Sequence, residues 1–183
     1  PYIEALSEVG IPVVYAGTGG LFETDEVACI INIFEFICEC DNDIVYDANF
    51  LKEIYDNLPD SFIIPFKRFK TGISAIQEST KLQKRISLQG LYSNILSLLG
   101  LSDESFHDTE DDVLLYNLGR LSQAITDYEG SREYLNFNSI KDFIWFIRLH
   151  AENAYDSGNT DSMSGLIDAV QILTMHGTKG LGF

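Results

Sequence analysis

Basic residues are in short supply. Twelve Lys and Arg stand against 28 Asp and Glu in 183 residues, a formal net charge of −16. Such a balance repels nucleic acid and anionic membranes on average, so any contact with a phosphate backbone has to be local. Cysteine is scarce as well. Cys29, Cys38 and Cys40 are odd in number and crowded into one apolar stretch, which argues against a disulfide framework and suits a reducing, cytoplasmic setting. Only four prolines accompany 14 glycines, with no fixed-period repeat and no low-complexity tract, which excludes fibrous and disordered classes. No apolar run reaches the length of a membrane span, and no basic segment precedes an apolar one at the start, so no membrane partner and no secretory leader are expected. Also missing is a G-x-x-x-x-G-K-[ST] phosphate loop, because Gly17-Thr18-Gly19-Gly20 is not followed by Lys-Ser or Lys-Thr. No apolar strand ends in paired acids that would hold Mg²⁺. No catalytic residue, metal site or cofactor is therefore expected in the chain, and no ATP hydrolysis by it unaided. Pro1 and Phe183 both read as cuts, so a fragment is expected.

What is present is a strongly helical pattern between two short strands. With 45% hydrophobic residues, the chain can sustain an apolar core. Ile3, Leu6 and Val9 lie at helical spacing before Gly10, and the β-branched run 11–16 reads as a buried strand. After the glycine loop, Thr24 is placed to cap a helix reaching Glu39, with Asp25 and Glu26 in its first turn. Its polar residues Asn32, Glu35 and Glu39 share one narrow stripe, so the rest of the surface is expected to be buried. A shorter helix is expected over 48–58, ending before Pro59. Residues 60–72 look irregular, and 74–99 read as one helix with an interruption near Gly90 and a stop at Gly100. Thr109-x-x-Asp112 resembles a capping box ahead of the seam Leu114, Leu118, Leu121, Ile125 and Tyr128. Ser139-x-x-Asp142 resembles a second, before Phe143, Ile144, Phe146 and Ile147. The segment 156–165 reads as a polar loop, and 169–173 as a second buried strand leading into a Gly-rich turn. A strand near each end with helices between is the pattern of a helical domain inserted into an α/β one. Pairing of 11–16 with 169–174 in a small parallel sheet is expected.

Six of the twelve basic residues, Lys67, Arg68, Lys70, Lys81, Lys84 and Arg85, fall within nineteen positions containing one acid, Glu78. This island of +5 is the best candidate for a duplex backbone contact. The plainer alternative is a solvated helix face whose charges pair with acids elsewhere. His176 and Lys179 sit on the turn after the second strand, where exposed side chains and N–H groups can meet a phosphate or a DNA strand. Cys38 and Cys40, two apart in a helix, are poorly arranged for a metal and read as buried thiols. His107 and His150 have no partner set for catalysis. The aromatics Phe143, Trp145, Phe146 and Tyr155 read as core packing rather than base-stacking groups.

Residues 170–183 (VQILTMHGTKGLGF) resemble motif V of the UvrD/Rep/PcrA branch of superfamily 1 helicases, whose pattern is a strand followed by T-x-H-x-x-K-G-L-E-F. Thr174, His176, Lys179, Gly180, Leu181 and Phe183 match it in order and spacing. Gly182 stands where the family has Glu, a residue associated with the nucleotide ribose. Gly10-Ile11-Pro12-Val13, then Leu21-Phe22, then Glu26-Val27, is similar to the family segment after motif IV. The resemblance implies a mainly α fold: a helical, 2B-like inserted domain over 41–165, with a small parallel α/β remnant of motor domain 2A formed by residues 1–40 and 166–183. It implies DNA contacts for Thr174, His176 and Lys179, and 3′ to 5′ movement on single-stranded and duplex DNA by a parent enzyme that uses ATP and Mg²⁺. In the family, 2B touches duplex DNA through a Gly-Ile-Gly loop. Thr71-Gly72-Ile73 lacks the second glycine. The alternative function is an acidic helical module for a protein partner or for autoinhibition within a helicase or helicase–nuclease complex.

Overall fold

The computed structural model describes residues 6, 9, 11, 13–15, 21, 22, 24–41, 43–62, 64–101, 109–154 and 170–172. The expected helix before Gly10, the glycine loop and the 156–165 loop lie largely or wholly outside them. The described architecture is mainly α. Strand β1 (Val13–Tyr15) is followed by helices α1 (Asp25–Cys38), α2 (Ala48–Asp56), α3 (Phe66–Leu82), α4 (Leu88–Leu99), α5 (Thr109–Gly130) and α6 (Asn138–Ala154), then by strand β2 (Val170–Ile172). The two strands pair in parallel as the insertion pattern led us to expect, with Val13 opposite Val170, Val14 opposite Gln171 and Tyr15 opposite Ile172.

Helix α1 is the hub, packing against α2, α3, α5 and α6. Val27, Ile30, Ile33, Phe34 and Ile37 are wholly or almost wholly buried, which is why so few polar residues fit on this helix. Asn32 and Glu39 lie on the exposed side, but Glu35, from the same expected stripe, is only 5% exposed. Its carboxylate accepts a hydrogen bond from Arg148 of α6. Thr24 occupies the cap position without a side-chain cap bond; its hydroxyl donates instead to the carbonyl of Leu21 at 3.0 Å. The helix ends at Glu39 in the left-handed region, φ 49°, a conformation more usual for glycine.

Helix α2 starts where Asp47 accepts from the N–H groups of Asn49 (2.8 Å) and Phe50 (3.1 Å). Two expectations fail between here and α4. Residues 60–72 are not irregular throughout, since α3 begins at Phe66. Its buried positions Phe69, Ile73 and Thr80 keep helical spacing, a stripe masked in the sequence by four cations and Gly72. Nor is 74–99 one helix broken at Gly90. The break falls at 83–87, with Gln83 extended. Ser87 then caps α4, accepting from the N–H of Gly90 at 2.9 Å, so that glycine belongs to the first turn.

Helix α4 closes on Gly100 in the left-handed region. The seam Leu114, Leu118, Leu121, Ile125 and Tyr128 of α5 is buried throughout. The side chain of Thr109 is outside the described residues. On α6 the expected cap shifts: Ser139 lies within the helix and accepts from the N–H of Asn136 at 3.1 Å, while Asn136 accepts from the N–H of Asn138 at 2.9 Å. Phe143 meets Phe34 and Tyr128 edge-on in the core, but Trp145 is half exposed. Among the described residues no helix is long and apolar enough to cross a membrane.

Candidate nucleic-acid interface

The basic island occupies both ends of α3 and the connection after it. All six cations are exposed, yet they do not form one contiguous cluster. A rise of about 1.5 Å per residue puts Lys67 and Lys81 roughly 21 Å apart along the helix. At the start of α3, Lys67, Arg68 and Lys70 share the first turns with no acid among them, and none of the ion pairs among the described residues involves them. Lys67 and Arg68, with Pro65, Thr71, Gly72 and Leu98, line an open groove of about 600 Å³ between α3 and α4. Thr71-Gly72-Ile73 is helical rather than a loop. Ile73 is fully buried, and a Cβ on Gly72 would lie 2.3 Å from Cδ1 of Leu98. The glycine therefore serves the close approach of two helices.

At the other end an acid, Glu39, stands against one of the cations. Lys81 pairs with Glu39 at 2.9 Å, an exposed contact of the kind worth about 0–1 kcal/mol. The Glu39 carboxylate also accepts from Gln77, whose amide reaches the last carbonyls of α1. Arg85 donates to the backbone carbonyl of Glu133 at 3.3 Å. The hydroxyl of Tyr134 donates to the carbonyl of Lys84, and the N–H of Ile86 donates to the carbonyl of Leu135 at 3.0 Å. These bonds join the α3–α4 and α5–α6 connections into one surface. It brings Glu133 and Tyr134 beside Lys84 and Arg85, with Arg132 next in the chain. No sequence signal relates residues almost fifty positions apart; only the folded connections do. Arg132 is fixed over the ring of Tyr128, 3.4 Å from its centroid, and Tyr134 is 56% exposed.

Among the described residues the titratable core groups show no catalytic pattern. Burial raises the Glu35 pKa, with Arg148 opposing it. Burial pushes the Cys29 thiol up to about 12 and raises Cys38 and Cys40, which keeps them protonated and poorly nucleophilic. The left-handed Glu39 separates Cys38, the last residue of α1, from Cys40, so the two are not in one helix as expected. No cluster of metal-binding side chains occurs among the described residues. Thr174, His176, Lys179 and Gly182 lie outside the described residues, as do His107 and Tyr155, and so does the side chain of His150.

A family model described as the UvrD-like helicase C-terminal domain matches residues 48–183. No curated protein and no solved structure matches the chain.

Proposed function

Because the chain belongs to the UvrD-like helicase C-terminal domain family, we propose that it is a non-catalytic portion of an ATP-dependent DNA helicase, in which a 2B-like helical insertion over 41–165 positions duplex DNA and regulates the motor. In this reading residues 1–40 and 166–183 belong to motor domain 2A, and Thr174, His176 and Lys179 contact the translocated strand. ATP and Mg²⁺ belong to the parent enzyme, whose first motor domain supplies the phosphate loop, and repair or replication is its setting. The observation that carries the duplex contact is the exposed group Lys67, Arg68 and Lys70, which no carboxylate neutralises among the described residues. In a chain of net charge −16, such a group gives an anionic backbone its point of approach.

The test is a salt titration of binding to a fluorescent duplex. We expect a Kd no tighter than the ~10⁻⁴ to 10⁻⁶ M of non-specific binding, a log–log slope of roughly −3 to −5, and no sequence preference. Changing Lys67, Arg68 and Lys70 together to Ala should reduce the slope by up to about three. Changing Lys81, Lys84 and Arg85 together should reduce it less, because Lys81 already has Glu39. Identical slopes for all three proteins, or no binding at low salt, would remove the duplex reading.

A second reading is favoured by that pairing. The Glu39 carboxylate on Lys81, on an acidic chain, suits a surface that docks a protein partner or restrains the motor. Failure of the duplex titration would put this reading first.

A further inference from the structure

Nothing in the duplex reading accounts for Tyr134. Its hydroxyl is tied to the carbonyl of Lys84, yet the residue is 56% exposed, and none of the aromatic pairs or cation–π contacts among the described residues uses its ring. An exposed aromatic held by its polar end has little conformational freedom left to lose on binding. The two joined segments also carry Lys84 and Arg85 on the facing connection and Arg132 two residues before Tyr134, all exposed. Two of these cations are held in place, Arg85 by the Glu133 carbonyl and Arg132 by the Tyr128 ring, the Tyr128 carbonyl and the Ser131 hydroxyl. Glu133 is the acid within this group, and Lys81, nearby in sequence, is occupied by Glu39.

We infer that the joined connections 83–87 and 131–136 form a platform for unpaired nucleic acid, Tyr134 stacking on a base while Lys84, Arg85 and Arg132 meet the adjoining phosphates. An intact duplex keeps its bases stacked inside and offers an aromatic face nothing, whereas an unpaired strand offers a π-face at every nucleotide. The combination of a fixed ring and three cations therefore selects single strand over duplex, where cations without the ring select neither. Together with the start of α3 this gives the chain two contacts of different kind, phosphates of a duplex at one end and an unpaired strand at the other. The inference rests on the DNA-binding reading above and assigns one end of its basic island.

Fluorescence anisotropy of the 183-residue chain separates the possibilities with three DNAs: a blunt duplex, the same duplex with an unpaired overhang of about ten nucleotides, and that overhang built from abasic units. The natural overhang should tighten binding at least about fivefold over the blunt duplex, and the abasic one should not. Tyr134→Ala should abolish the gain and leave blunt-duplex affinity unchanged. Tyr134→Phe, which keeps the ring and loses the tether, should retain most of it. Thermal melting by circular dichroism checks that the variants fold, and if Tyr134→Ala does not, the phenylalanine and abasic arms still decide. Equal binding of all three DNAs, or a loss with Phe as large as with Ala, overturns the inference and leaves the duplex contact standing. Absence of binding to any DNA overturns both. Competition by polyglutamate as effective as that by a single strand of equal charge overturns it in favour of an acidic peptide.

Discussion

Glu35 and Asp47 are carboxylates of one helical bundle whose surroundings move them in opposite directions. Burial raises Glu35 above its ordinary value of 4.5, Arg148 only partly opposing. The folded state then holds the proton more tightly than the unfolded one, so stability falls as pH rises from the unfolded value through the folded one. Asp47 is lowered from 3.8, first by the N–H of Phe50 and then by that of Asn49. Its contribution is present above 3.8 and is lost as pH falls through the lowered value. Urea midpoints between about pH 3 and pH 7 should show this. Glu35→Gln should gain on the wild type as pH rises, whereas Asp47→Asn should fall behind. Arg148→Ala should cost about 1–3 kcal/mol by leaving the buried carboxylate unpaired. Replacing both partners with Leu should cost much less. A cost for the pair equal to that of Arg148→Ala would show that packing, not charge, sets the loss.

Helix boundaries respond to single hydrogen bonds, which explains where the sequence misled. The seam of α5 and the apolar faces of α1 and α6 were legible because spacing is a property of the sequence itself. The gap between α3 and α4 was not, because Gly90 looks like a breaker until Ser87 is seen to accept from its N–H. Ser87→Ala should lower stability by about 1 kcal/mol, measurable as a shifted urea midpoint with unchanged denaturant dependence. An unaffected midpoint would mean that α4 is held by its packing on α3 and α5 without help from the cap. Likewise Thr71-Gly72-Ile73 lacks the second glycine of the family loop, which left Gly72 without a role in the sequence, and only its approach to Leu98 shows a packing reason. Gly72→Val should therefore destabilise by about 1–3 kcal/mol through overpacking. A smaller loss in a Leu98→Ala background would confirm the clash as its cause. Of the candidate interface, the cluster of cations could be read from the sequence, but its division into two ends could not. What distinguishes the ends is the pairing of Lys81 with Glu39 and of Arg85 with the Glu133 carbonyl, partners distant in the chain.

For the molecule as a whole, the sequence provides neither a phosphate loop nor paired metal-binding acids, and the purified chain should show no ATP turnover with or without single-stranded DNA. A coupled phosphate-release assay checks this, and DNA-stimulated turnover would overturn the proposal that the chain is non-catalytic. The mainly α architecture and the meeting of the two strands were both expected from the pattern of the sequence, a strand near each end with helices between them. The parallel sense of that pair also has a mechanical meaning. Tension applied upstream of Val13 and downstream of Ile172 pulls on opposite ends of two strands running the same way. Their hydrogen bonds are then loaded in shear, all at once, rather than peeled apart one by one. While that short clamp holds, force passes from one strand to the other across three residue pairs and bypasses the helices between them. Once it slips, every helix from α1 to α6 comes under load together.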